Sequence, residues 1–390
     1  MIINEELTRA RAELQRAGAD WALLSSTENV TYVSHWEAPT QYGPMAHLSY
    51  APSLALFGVA EPASFLLVHN FLAAGAKSQT TFDEVGAYDV VQLLPPYTKV
   101  SPKELFIALL RTTLRKAGLG RGKIKLAVEE GSLPTVVRQV IAEECPGVEL
   151  ISATPALVAA RMVKTDREIE RLRFTAEVIN AGQKELIRQC QTAGKSDWEM
   201  WAGITQAMQI EAGRPLYVAG ELVTGERCRE IAPGGPVGYV TRPGDLARLD
   251  VSPRINGYWG DLTNTLVIGG VEPTAKQKLY KNAARDAFYA AADALRPGRL
   301  ACDAFEAARA AFASHGLQIA HYAGHQIGLT VNEAPWLIPT DETPIRAGMV
   351  FSIECGSYEG PAGQIGARVE KSVIVAESGP EIFPDFDWVF

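Results

Sequence analysis

The sequence predicts two domains, an α/β domain over residues 1–158 and an α+β domain over residues 159–390. Three observations carry this division. In the first part, short apolar runs alternate with amphipathic helical patterns. A helix-opening capping box, Thr165-Asp166-Arg167-Glu168, then follows a stretch that holds no turn cluster. Beyond it, helices are grouped beside strand pairs with hairpin signals, the pattern of an α+β unit.

Taken in order, 4–17 reads as an amphipathic helix with Asn4 as its cap and Gly18 as its stop. Trp21 to Ser25 suits a strand, and 53–59 and 65–68 suit two more, split by a Glu61-Pro62 turn. Ser101 opens a helix whose Leu105, Leu109 and Leu110 share a face. A strand at 124–128, a helix at 134–143 and a strand at 148–151 complete the first domain. Residues 154–164 read as a short linker, and the capping box then opens a long helix to about Arg188. Another helix spans 197–212, where Trp198 and Trp201 are expected to pack inward. Helices at 274–295 and about 303–314 lie among strands near Asp250, Asp261, Glu354 and Glu370. Ala283, Ala284, Ala287 and Ala291 give the first of these helices a small-residue face for close packing.

Composition narrows the function. The chain has 390 residues, 47% of them apolar, and a net charge of −8. That charge disfavours nucleic acid and anionic membranes as partners. Five cysteines without a CxxC pair argue against a disulfide framework or a thiolate zinc site, and point to a reducing cytoplasm. The opening residues lack the pattern of a signal peptide, and no apolar run is long enough to predict a membrane span.

The chemistry concentrates in three segments. Asn256-Gly257 is a strong hairpin signal, flanked by Asp250 and Asp261. On an antiparallel pair the two aspartates are expected nearly opposite each other, close enough to repel unless a cation lies between them. A second hairpin is predicted from 351–356 and 366–375, each strand carrying one glutamate, Glu354 or Glu370, among apolar neighbours. Finally, His321 and His325 lie four apart in a glycine-containing stretch. Four carboxylates and an imidazole form an oxygen-rich set that suits Mn²⁺, Co²⁺, Fe²⁺ or Zn²⁺ at a two-metal hydrolytic site.

These segments resemble the pita-bread metallohydrolases, the superfamily of methionine and Xaa-Pro aminopeptidases, prolidases, creatinase and ectoine hydrolase. The resemblance rests on Gly244-Asp245, on Gly257-Tyr258 with Asp261, and on Gly324-His325-Gln326-Ile327-Gly328. It continues in Gly348-Met349-Val350 ahead of Glu354 and in Arg368-Val369-Glu370. The first domain and the linker Arg161-Met162-Val163-Lys164 look like the two-domain creatinase and prolidase branch. The likeness implies a creatinase-type N-terminal domain, a pita-bread catalytic domain and two divalent ions, Mn²⁺ foremost. Asp250, Asp261, His325, Glu354 and Glu370 would hold the metals, with Asp261 and Glu370 bridging. Glu354 would also act as general base, accepting a proton from the attacking water to leave a metal-bridged hydroxide, His321 would sit near the substrate carbonyl, and Arg368 would orient carboxylates. It also implies a cytoplasmic homodimer in which His35, Trp36 or His47 of one subunit could close the other's pocket.

Departures from the peptidase pattern matter. Asn332 stands where peptidases of the superfamily have a second histidine, and is a candidate substrate contact together with His47. The segment 230–236 lacks another such histidine, Lys371 replaces an aspartate, and Asn264 replaces an arginine. The leading expectation is therefore hydrolysis of an amide-type C–N bond in a small molecule. The alternatives are an Xaa-Pro aminopeptidase or dipeptidase, a lyase on the same metal platform, and a silent binding module.

Overall fold

A computed structural model describes residues 4–40, 50–90 and 99–388. The chain divides into two compact units, Met1–Arg161 and Met162–Phe390. His47 lies outside the described residues.

The first unit is an α/β layer structure. Its elements are α1 (Glu5–Arg16), β1 (Trp21–Leu24), α2 (Thr27–Ser34), β2 (Leu54–Gly58), β3 (Ser64–His69), α3 (Asn70–Gln79) and β4 (Glu84–Tyr88). They continue with α4 (Pro102–Lys116), β5 (Ile124–Val128), α5 (Thr135–Glu144), β6 (Val148–Ser152) and α6 (Thr154–Met162). Six strands form one mixed sheet in the order β4-β3-β2-β1-β5-β6. Asn4 caps α1 by accepting from the Leu7 amide, and α1 buries Leu7, Ala10 and Leu14. On α4 the buried face runs through Phe106, Leu110 and Leu114, one step round from the expected Leu105 and Leu109, which are only partly buried.

In this unit, four elements depart from the sequence reading. The stretch 154–164 was expected to be a linker but is mostly the helix α6. The helices α2 and α3 and the strand β4 carried no readable pattern. Helix α2 is rich in β-branched residues and buried from Asn29 to Ser34, so no amphipathic period can show. Its start is held by tertiary bonds: Glu129 accepts from the Ser25 amide at 2.7 Å, the Ser26 amide at 3.0 Å and the Asn29 side chain at 2.6 Å. His35 terminates α2 in the left-handed region, and its Nε2 lies 2.6 Å from the buried Glu6 carboxylate. Trp36 is likewise buried in this unit.

The second unit contains α7 (Asp166–Cys190), α8 (Asp197–Ala212), β7 (Val218–Thr224), β8 (Leu246–Ile255), β9 (Tyr258–Trp259), β10 (Leu262–Val267), α9 (Ala275–Ala294) and α10 (Ala301–Ser314). It ends with β11 (Gly324–Gln326), β12 (Glu333–Leu337), β13 (Val350–Tyr358), β14 (Gly366–Ala376) and β15 (Gly379–Phe383). One sheet has the order β10-β8-β7, with β9 on β8, and the other has the order β12-β11-β13-β14-β15. Capping boxes open α7, α8 and α9. The alanines of α9 join the core formed with α10 and the second sheet. Helices α7 and α8 share another core with the back of β8 and β10. There α8 buries Met200, Ile204 and Met208, whereas Trp198 is 57% exposed, contrary to the expectation that it packs inward. All five cysteines are free, and no described helix is long and apolar enough to cross a membrane.

Candidate metal centre

Period-two alternation along the strands of the second unit decides which side chains meet. The register of β13 on β14 sets Glu354 directly across from Glu370. On the other flank of β13, His325 of β11 pairs with Ser352. Two hydroxyls of β10 join the sheets: Thr263 donates to Glu370 Oε2 at 2.7 Å, and Thr265 donates to the Arg368 carbonyl at 2.8 Å. Asp261 enters from the start of β10, so Asp261, His325 and Glu370 each offer a ligand atom within 4.8 Å of the other two.

The aspartates of the first hairpin are not opposite each other. The turn at Asn256-Gly257, with both φ values positive, pairs Ile255 with Tyr258 and Asp250 with Thr263. Ser252 therefore stands by Asp261 and donates to it at 2.9 Å. Asp250 and Asp261 still share a face, because side chains two apart on a strand point the same way.

Arg368 gathers the remaining carboxylates. Its guanidinium bonds Asp250 and lies 3.5 Å from Glu221 and 3.7 Å from Glu354. Glu221 sits across β7–β8 from Asp250 and also pairs with the fully buried Arg248 at 3.0 Å. Arg248 further donates to the carbonyls of Cys228, Glu230 and Ile231, holding the segment where a peptidase histidine was missing, and it stacks on Tyr358. His321 donates from Nδ1 to the Tyr322 carbonyl at 2.8 Å, and its Nε2 is 3.5 Å from the Tyr358 hydroxyl. Asn332 is exposed in the turn between β11 and β12, where its backbone oxygen accepts from Thr330. None of the described bonds ties its side chain to the carboxylates.

Glu221, Arg248, Thr263, Ser252, Ser352 and Tyr358 escaped the sequence reading. Arg248 and Thr263 each lie two residues from a predicted aspartate, so alternation alone could have found them. Glu221 had no such signal, because the strand β7 had not been recognised.

Electrostatics show what this arrangement demands. Burial, then Glu354 and Asp250, push Glu370 up to about 8. Burial and Glu370 raise Asp261 well above the usual carboxylate range. Burial would also raise Glu354, but His325 and Arg368 outweigh it and bring that group down to about 2. Burial lowers His321. For His325, burial acts downward but the Glu354 carboxylate overrides it, so the net shift is upward.

The imidazole gives the clearest test of whether a cation fits. The Nδ1 of His325 faces the Gln326 carbonyl at 2.9 Å, which assigns the ring proton to Nδ1. That leaves Nε2 with a lone pair, buried and without a hydrogen bond among the described residues. Yet Nε2 lies 3.3 Å from Glu354 Oε1 and 3.9 Å from Asp261 Oδ2. Lone pairs facing each other require a positive charge between them, either a proton, as the raised His325 expresses, or a metal ion. A set of one nitrogen and several carboxylate oxygens fits a divalent cation.

Known proteins resemble this chain in sequence and in fold. The sequence profile of metallopeptidase family M24 matches residues 170–377, and that of the creatinase/prolidase N-terminal domain matches residues 7–163. A probable dipeptidase PepE of Mycobacterium tuberculosis is 32% identical over 272 residues, which is 68% of this chain and 69% of that protein. A creatinase of a Bacillus species is 24% identical over 408 residues, covering 98% of this chain and 91% of its own. The fold matches an Xaa-Pro dipeptidase from Bacillus anthracis with a TM-score of 0.78 at 22% identity, over 97% of this chain and 96% of that one.

Proposed function

The chain belongs to metallopeptidase family M24, and from that premise we propose that it hydrolyses the amide C–N bond of a small, dipeptide-sized substrate at the cluster around Asp261, His325 and Glu370. It is a metal-dependent hydrolase of amide-type bonds. One observation carries the assignment of the site: a buried imidazole lone pair aimed at buried carboxylates of which two are pushed towards neutrality. That combination is costly without a cation and favourable with one.

Asp250, Asp261, His325, Glu354 and Glu370 would hold two divalent ions, with Mn²⁺ the best match to an oxygen-rich set and Co²⁺, Fe²⁺ or Zn²⁺ also suitable. Such ions, when bound, polarise the scissile carbonyl and make water more acidic. Glu354, ionised beside the Arg368 guanidinium, would accept the proton of the attacking water and return it to the leaving nitrogen. His321 is neutral by burial. Its proton faces the Tyr322 carbonyl, so Nε2 is an acceptor towards the Tyr358 hydroxyl. This fixes the ring where it can orient the substrate. Arg368 holds Asp250 in place and prevents it from turning away from the cluster.

The dipeptidase relative favours a dipeptide as substrate. A second reading, a smaller amide or urea-like compound, is favoured by Asn332 and by the histidine-free segment 230–236. One screen separates the two. The purified, Mn²⁺-supplemented protein is assayed against Xaa-Pro dipeptides, other dipeptides, tripeptides, and small amides and ureas. Hydrolysis of dipeptides supports the first reading, and hydrolysis of only the smaller compounds supports the second. A metal-loaded protein inert on every compound overturns both.

A further inference from the structure

Among the described residues, the imidazole of His325 is aimed by one hydrogen bond, from Nδ1 to the Gln326 carbonyl. Its strand, β11, is short, and the β11–β12 register shifts between His325 and Gln326. At such an irregularity the ladder alone does not fix the backbone. On its other side Gln326 pairs regularly with Phe351 of β13, and its side chain is held by contacts that converge on Lys164. Its buried ammonium donates to Gln326 Oε1 at 2.7 Å and to Glu333 Oε2 at 3.0 Å. Glu333 in turn accepts from the amides of Leu329 at 2.8 Å and Thr330 at 3.1 Å, closing the turn after His325 onto the same carboxylate. A Cβ on Gly328 would lie 2.8 Å from Glu333 Oε1, so glycine permits that closure. The Gly328 carbonyl accepts from Trp259, near Asp261, at 2.8 Å. The Lys164 amide donates to Gly348 at 2.9 Å, just ahead of the strand that carries Glu354.

We propose that Lys164 is a positioning residue for the cation site, holding Gln326 and the turn through Glu333 so that the His325 imidazole faces Asp261 and Glu370. The inference rests on the metal reading of this site. An apolar side chain could fill the same space without the cost of burying a charge. What the ammonium adds is direction: it links one end of β11 to the turn and to the approach of β13.

The test uses the full chain, stripped with a chelator and titrated with Co²⁺, read by calorimetry and by the visible Co²⁺ absorption band. Wild type is compared with Lys164→Met and with the double variant Lys164→Met/Glu333→Gln, which removes both charges of the pair. Both variants are expected to keep the far-UV circular dichroism of the wild type. Their Co²⁺ binding should weaken by about 10- to 100-fold, the range seen when support of a ligand is removed, and the band should change. A folded variant that binds Co²⁺ with the wild-type affinity and spectrum overturns the proposal. Unfolding of the double variant also overturns it, because Lys164 would then be a support of the whole unit. Failure of the wild type to bind Co²⁺ is a different result, and sinks the metal reading itself.

Discussion

Stripping divalent cations from the protein is expected to make its stability fall as the pH rises from about 4.5 to about 8. Glu370 and Asp261, both raised by burial and by neighbouring carboxylates, are the main causes. Burial and its acidic neighbours hold Glu370 up to about 8 in the folded chain, against an ordinary carboxyl value of 4.5. Between those two values the folded state binds more protons than the unfolded state, so stability declines with pH until Glu370 is fully ionised. A shift of that size corresponds to about 5 kcal/mol as an upper bound, since each pKa unit is worth about 1.4 kcal/mol. A domain of roughly 200 residues moves its midpoint by about 2–4 °C per kcal/mol, so even half of that cost displaces it by about 5–10 °C.

Other groups act in known directions in this window. His325, raised by Glu354, adds a slope of the same sign as the pH passes its ordinary value, and His321, lowered by burial, opposes it there. Glu354, held at about 2, stabilises above the ordinary carboxyl range and titrates outside the window. The assay is thermal unfolding of chelator-treated protein at several pH values, repeated with saturating Mn²⁺ and with Glu370→Gln. The metal-free wild type should lose its midpoint steadily, the Mn²⁺-loaded protein should not, and Glu370→Gln should have a shallower slope. If the metal-free wild type has a midpoint that is flat or rising with pH, or if Glu370→Gln retains the full slope, the electrostatic reasoning is refuted.

Asp261→Asn is expected to lower hydrolysis by more than the about 10- to 100-fold typical of residues that only support a ligand, with unchanged circular dichroism; near-wild-type turnover would remove Asp261 from the site. In the first unit, Glu129→Ala leaves the Ser25 and Ser26 amides and the Asn29 side chain without their acceptor. It should cost about 3 kcal/mol, measurable as a lower urea midpoint. Among the five cysteines only Cys302 is half-buried, while burial pushes Cys190 up to about 12 and Cys228 up to about 11. Native protein should therefore react quickly with one equivalent of an aromatic disulfide reagent. Cys302→Ser should abolish that reaction, and a second fast equivalent would contradict the burial pattern.

How far the site was legible follows from what a local pattern can encode. The hairpin over 351–356 and 366–375, with one glutamate in each strand, was legible, and its register then sets Glu354 across from Glu370. The hairpin at Asn256-Gly257 was equally visible, but its residue count was read too loosely. The turn sets Thr263, not Asp261, across from Asp250. Helices with an amphipathic period behind a cap, such as that opened by Thr165 and Glu168, were found, whereas α2, though capped by Ser26, was hidden because its burial from Asn29 to Ser34 leaves no amphipathic period.

The same distinction explains the residues that were missed. A local pattern names the face a side chain occupies, but not which two faces meet. That Thr263 reaches Glu370, or that Arg368 bonds Asp250, depends on how β10 lies against β14. Glu221 and Arg248 are the sharpest case. Each, read alone, is an ordinary charge on an exposed strand face, yet together they are buried between the carboxylates and the 228–231 segment. Their burial is tolerable only because the partners are mutual: Arg248 is neutralised by Glu221, and Glu221 also lies beside Arg368, which neutralises Asp250. Two arginines thus balance part of the acidic cluster, and the uncompensated charge is left on Asp261 and Glu370, beside the imidazole that lacks a hydrogen bond at Nε2. The strongest pull on a cation therefore lies at Asp261, His325 and Glu370, where the ligand atoms already converge.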